Sequence, residues 1–176
     1  MTAHQQQMQA FAKYNREFNA RLYKLVATLT GDQRKKHLGA FFGSVHATLN
    51  HILLADRIWL GRFATAFPDM TALQQADLVQ QFSSLRDELY ADFTELSVQR
   101  VATDDVISRF TDELTAAQLA GTMRYSNSQG QAREHPTWVA VAHMFNHQTH
   151  HRGQLSTLLH QLGHDVGVTD FVAYVT

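Results

Sequence analysis

Two histidines four residues apart, His147 and His151, are the part of this chain best suited to chemistry. They lie in Asn146-His147-Gln148-Thr149-His150-His151-Arg152-Gly153-Gln154, a stretch with helical periodicity. Side chains at i and i+4 are neighbours on one face of a helix, so the two imidazoles can chelate one metal ion when a third ligand arrives from elsewhere. His51, in an earlier helical stretch, can complete the set. Three neutral imidazoles and a water form the open site used in metal-assisted chemistry. Imidazole ligation suits zinc, nickel, copper and iron(II) alike, and zinc or nickel is the expected ion. Histidines at this spacing also occur as ordinary helix residues, so spacing alone leaves both readings open.

Composition narrows the classes. A chain of 176 residues, 44% apolar and 18% charged, is expected to form a single domain spanning 1–176 with its own core. The net charge is −1 and no long run of like charge exists. The basic run Arg34-Lys35-Lys36 reads as a solvated helix turn, and neither nucleic acid nor a membrane is an expected partner. Cysteine is absent, which removes disulfides, thiolate nucleophiles and cysteine-ligated zinc. The polar stretch from Met1 to Gln7 lacks a signal-peptide pattern and no apolar run reaches the roughly 18 residues of a membrane span. A cytoplasmic location is expected. Eleven histidines are the compositional oddity, because histidine is the commonest metal-ligating side chain.

Only two prolines, Pro68 and Pro136, interrupt long stretches of 3.6-residue periodicity, which points to an all-α four-helix bundle. A first helix is expected from Ala3 to Leu29, with Phe11, Tyr14, Phe18, Leu22, Leu25 and Leu29 as its apolar stripe, followed by a short turn that Asp32 caps. A second is expected from Gly43 to Phe63, with Ser44 as N-cap and Trp59 and Phe63 in the core. A third is expected from Ala76 to Arg100, burying Leu78, Phe82, Leu85, Leu89, Phe93 and Leu96, with Asp87, Glu88 and Asp92 solvated. Asp104-Asp105 would open a short helix containing Val106, Ile107 and Phe110. Between Gly121 and His135 the turn chemistry of Ser126-Asn127-Ser128-Gln129-Gly130 predicts a short hairpin or extended connection. The last long helix starts at Pro136-Thr137 and runs to Leu162, with Gly163 as its C-cap. The tail, with Phe171, Val172 and Tyr174, is expected to pack back over the bundle.

At about 100° per residue, His147 and His151 fall together at the border of the last helix's apolar arc. His143 and His150 lie further towards solvent, and the pair His160 and His164 lies at the helix end. His51 sits at one edge of the second helix's arc and His46 near the opposite edge, so those two are poorly placed to share an ion. Three polar residues interrupt apolar faces: Asp56 on the second helix, Gln148 and Arg152 on the last. A buried carboxylate is costly unless paired, and Asp56 is the expected partner of Arg152 within an internal polar network. Metal-bound histidines donate their other ring nitrogen to a neighbour, for which Asn50, Asp56, Asn146 and Gln148 are candidates. His46 and His150 are weak candidates for general acid/base groups.

The stretches Tyr14-Asn15, Phe41-Phe42-Gly43-Ser44, Thr48-Leu49-Asn50-His51-Ile52-Leu53, Ala55-Asp56-Arg57-Ile58-Trp59-Leu60-Gly61-Arg62-Phe63 and Asn146 to Gln154 resemble the DinB (damage-inducible) family, within the DinB/YfiT-like metalloenzymes. The resemblance covers nearly the whole chain. It implies a four-helix bundle, commonly a homodimer, with a metal site carried by His51, His147 and His151. It also implies a small-molecule substrate, and a reaction of the hydrolase type or a transfer or isomerisation that depends on a low-molecular-weight thiol. The competing expectation is a non-catalytic metal-binding or stress-response protein whose ion is structural or sensory.

Overall fold

The computed structural model describes residues 1–74, 78, 82–127 and 129–175. Four long helices dominate these residues: α1 (Ala3–Ala27), α3 (Val45–Ala66), α5 (Phe93–Glu113) and α7 (Thr137–Gln161). Short helices α2 (Gly31–Lys35), α4 (Thr71–Gln74), α6 (Ala116–Ala120) and α8 (Val172–Val175) fill the connections and the tail. Strands β1 (Thr122–Ser126) and β2 (Ala132–Pro136) pair antiparallel, with Met123 opposite His135. The hairpin expected before the last long helix is therefore present. Its turn is held by the Asn127 side chain, which accepts from the backbone amides of Gln129 and Gln131 at 3.0 Å each.

Local chemistry explains most boundaries. Ser44 caps α3 by accepting from the amide of Ala47, and Thr2, Thr30 and Thr115 each close a capping box, satisfying amides that have no partner in the first turn. Gly163 follows α7 with φ +83°. That left-handed conformation lets the amides of Gly163 and His164 turn back to the carbonyls of His160 and Leu159. The tail returns over α1: Phe171 packs on Phe11 and Tyr14, Tyr174 packs on Tyr14, and the Tyr14 hydroxyl donates to the carbonyl of Thr169. Val172, expected among the packing residues, is exposed.

The third long helix departs from expectation. It begins at Phe93 and continues unbroken to Glu113, through the Asp104-Asp105 step expected to start a separate helix. Residue 78 and residues 82–92 are not helical, and Ala76 lies outside the described residues. Two local causes compete with the helical period. Asp92 caps α5 by accepting from the amide of Glu95 at 2.9 Å, and Asp87 accepts from the amides of Ser83 and Ser84, the side-chain bonding that favours turns over helix. Asp104 fits inside the helix because Arg100, four residues earlier, pairs with it at 2.8 Å.

The core is divided along the bundle axis. One apolar cluster gathers Met8, Trp59, Phe63, Ile107, Phe110 and Met144, and another gathers Phe18, Leu49, Leu53, Leu96, Leu155 and Leu159. In three long helices buried polar residues fall between the parts that feed these clusters: Asp56 in α3, Arg100 and Asp104 in α5, Gln148 and Arg152 in α7, and Asn15 and Asn19 of α1 meet them there. A polar layer thus crosses the bundle at mid-height. Helix α3 is buried on nearly every face along Val45 to Gly61, which makes it the central helix. No helix among the described residues is long and apolar enough to cross a membrane.

Candidate metal centre

At one flank of the polar layer, α3 and α7 bring His51, His147 and His151 together. Their Nε2 atoms form a small triangle: 3.2 Å from His51 to His147, 3.2 Å from His51 to His151, and 3.0 Å from His147 to His151. The i, i+4 spacing on α7 supplies one edge, and the packing of α3 against α7 supplies the others.

Hydrogen bonds on the far side of two of the three rings orient this triangle. The Nδ1–H of His51 donates to the backbone carbonyl of Leu85 at 2.8 Å. A carbonyl only accepts, so the proton is on Nδ1 and the Nε2 lone pair faces inward. The Nδ1–H of His151 donates to the Gln154 Oε1 at 2.8 Å, with the same consequence. The ring of Phe42 stacks on His51 at 3.9 Å between centroids and meets His151 edge-on, limiting rotation of both. His147 Nδ1 is buried with no hydrogen-bond partner among the described residues.

Electrostatics keep the cluster neutral. Burial lowers the His51 pKa to about 4, offset in part by the bond to Leu85 and reinforced by His151. Burial lowers His147 to about 3, with His151 and His51 adding to the effect. Burial also lowers His151, against the bond to Gln154. Converging lone pairs on neutral imidazoles are what a divalent cation requires. A tetrahedral zinc about 2.0–2.1 Å from each imidazole nitrogen sets those nitrogens roughly 3.3 Å apart, close to the 3.0–3.2 Å edges seen here. No cysteine, aspartate or glutamate among the described residues joins this group. A cavity of about 230 Å³ opens beside two of the three rings, His51 and His147.

A family model described as the DinB family matches residues 1–176. The chain belongs to the DinB family. It is also 23% identical over 164 residues to Protein DinB of Bacillus subtilis (strain 168), covering 93% of this chain and 90% of that protein. The histidines that this DinB-family fold brings together are those expected from the motif.

The other candidate residues lie as follows. Asp56 is paired with Arg100, at 2.5 Å, and not with Arg152. Arg152 instead donates to Asn15 Oδ1 and Thr149 Oγ1 and lies over the rings of Tyr14 and Phe18. Gln148 is in the layer, accepting from Asn19 at 3.4 Å. Asn50 does not reach the imidazoles. Its amide donates to the carbonyls of His46 and Tyr90 and accepts from the amide of Tyr90, tying down the segment that carries Leu85. His46 Nε2 lies 3.1 Å from Glu88 and 3.0 Å from the carbonyl of Tyr90, so His46 anchors the same segment. Asn146 is exposed. His150 is also exposed, and its Nε2 faces the Gln154 side-chain amide. Sequence reasoning missed three orienting groups: Leu85, Gln154 and Phe42. Only Gln154 carried a readable signal, at i+3 from His151.

Proposed function

We propose that His51, His147 and His151 bind one divalent metal ion, zinc or nickel, and that the protein is a metal-dependent enzyme of the hydrolase or thiol-dependent transferase type. The observation that carries this reading is the triangle of Nε2 atoms at 3.0–3.2 Å beside an open cavity. Three converging neutral nitrogens without a fourth protein ligand among the described residues correspond to catalytic rather than structural coordination. When bound, such an ion would acidify a water or a low-molecular-weight thiol in its open position. The protein's own residues supply the rest. Leu85 and Gln154 fix the ring tautomers, Phe42 holds the rings in place, and Ala55, Ile58 and Trp59 give the cavity an apolar wall that excludes water.

The test is metal analysis of the purified protein followed by melting in a chelator. The expected result is about one ion per chain, lost in His51→Ala, His147→Ala and His151→Ala, with the metal-free bundle still folded. A bundle that unfolds when the ion is removed would favour the structural-ion reading, and full metal content in His51→Ala would remove that ligand from the set. Assembly as a homodimer belongs to the same proposal, and a monomeric mass by light scattering would refute it.

A further inference from the structure

Arg62 lies on the same face of α3 as His51. The residues His51, Ala55, Ile58 and Arg62 follow at i, i+4, i+7 and i+11, and all line the cavity that His147 also borders. A second cavity of about 260 Å³ continues from it past Arg62, Phe82 and Tyr125 to the hairpin. Together they form one groove, with the imidazoles at one end and the hairpin at the other.

The guanidinium of Arg62 is half-buried above the rings of Trp59, at 4.6 Å, and Tyr125, at 5.0 Å. It makes no ion pair with a carboxylate among the described residues. Burial pushes its pKa down, opposed only by Tyr125. The contrast with the other buried arginines is direct: Arg100 has two carboxylates, Arg152 has an amide oxygen and a hydroxyl, and Arg57 has two hydroxyls and an amide oxygen. Two stacked rings hold the Arg62 plane still while its five donors stay available, the arrangement that suits bidentate recognition of a carboxylate or phosphate. Helical side chains lean towards the N-terminus, so Arg62 leans back towards Trp59 and the histidines, shortening the roughly 16 Å of helix rise that eleven residues span.

We propose that Arg62 is the recognition residue for an anionic group, carboxylate or phosphate, on a small, partly apolar molecule whose other end reaches His51 and His147. Ile58, Trp59 and Phe82 take up its apolar body, and Asn127 adds an amide at the hairpin end. This substrate class rests on the metal-centre reading for its reacting end, but the anion contact does not need the ion.

The probes are benzoate and phenyl phosphate, with benzamide as the uncharged control, titrated by calorimetry and by quenching of tryptophan fluorescence into zinc-loaded and metal-stripped protein. At least one anion binds saturably, benzamide binds more weakly, and Arg62→Gln lowers the anion's affinity about tenfold or more while leaving zinc content and melting temperature unchanged. Arg62→Lys restores part of the loss, more for phosphate than for carboxylate if the bidentate fork matters. Preference between benzoate and phenyl phosphate identifies the anion. Saturable anion binding that ignores Arg62→Gln, equal binding of benzamide, or no saturable anion binding would overturn the proposal. If zinc binds stoichiometrically and Arg62 is irrelevant, this proposal fails alone. If no metal binds but stripped protein shows Arg62-dependent anion binding, the metal reading fails alone.

Discussion

The polar layer of the bundle contains two clusters built on opposite terms. Inside it, Asp56, Arg100, Asp104 and Arg152 bury two negative and two positive charges among Asn15, Asn19 and Gln148. Burial alone would lower the Arg100 pKa, but Asp104 and Asp56 outweigh it and hold the guanidinium above its ordinary value. At the flank, His51, His147 and His151 carry no formal charge, yet point three nitrogens at one another. The charged cluster is paired from within, since every long helix supplies a partner, although Asp56 Oδ1, Arg100 Nε, Gln148 Nε2 and Arg152 Nε are buried without a hydrogen bond among the described residues. The histidine cluster is oriented from outside and left incomplete at its centre. Polar groups that complete one another hold a fold in register, whereas groups held in place around a common point are prepared for something that is not protein.

The widest test of that difference is to break the charged cluster. Arg100→Ala leaves Asp56 and Asp104 as buried carboxylates without their main counter-charge, and removing one partner of a buried pair costs about 3–5 kcal/mol. Urea melts should register that loss, while metal content per folded molecule stays the same. Arg152→Ala comes next. It removes hydrogen bonds to Asn15 and Thr149 and the stacking over Tyr14 and Phe18, together about 2–3 kcal/mol. Should Arg100→Ala empty the metal site in protein that is still folded, the two clusters would not be separate systems.

Breaking the histidine cluster should give the reverse pattern, lost metal with a modest change in stability, and it has a pH signature. In metal-free protein the fold keeps His51 at about 4 and His147 at about 3, below the ordinary 6.5. Between these values the unfolded chain takes up protons that the folded chain refuses, so stability falls as pH drops. The contribution is fully present above about pH 6.5 and is lost as pH falls through that value towards 4 and then 3. The difference between wild type and the His51→Ala/His147→Ala variant isolates it. A difference that stays flat across this window would mean that the rings are not held neutral by the fold.

How much of this was legible in the sequence depended on distance along the chain. The hairpin, the Ser44 cap and the pairing of His147 with His151 are local, and local chemistry marks them. The third helix was misplaced because Leu78, Phe82, Leu85, Leu89, Phe93 and Leu96 keep a helical period. Their non-helical part is instead set by Asn50 and His46 on α3, which bind the backbone of Tyr90. The charged layer differs from expectation at the same place: the continuous α5 carries Arg100 and Asp104 on one helix, and Arg100 takes the position beside Asp56 that was expected of Arg152. The orienting partner of His51 had no mark at all, since it is a backbone carbonyl, which every residue carries. Asn50, expected to face an imidazole, instead acts on the segment bearing that carbonyl.

The smallest effects give the sharpest comparison, within a single turn of α7. Gln154 accepts from His151 at 2.8 Å and presents its amide nitrogen to His150 at 3.2 Å. Gln154→Ala frees His151 to rotate or change tautomer, and losses of this kind lower metal affinity about 10–100-fold. Because Gln154 is not fully buried, its melt should stay within about 0.5 kcal/mol of wild type. His150 stacks edge-on against His151 but is exposed, and its hydrogen-bond contact is with Gln154 and not with a cluster ring. His150→Ala should therefore leave both the melt and the metal affinity near wild type, the least change of any histidine in the motif. A loss of affinity in His150→Ala as large as that in Gln154→Ala would put His150 inside the orienting chain, and the centre would then draw on four histidines of this layer instead of three.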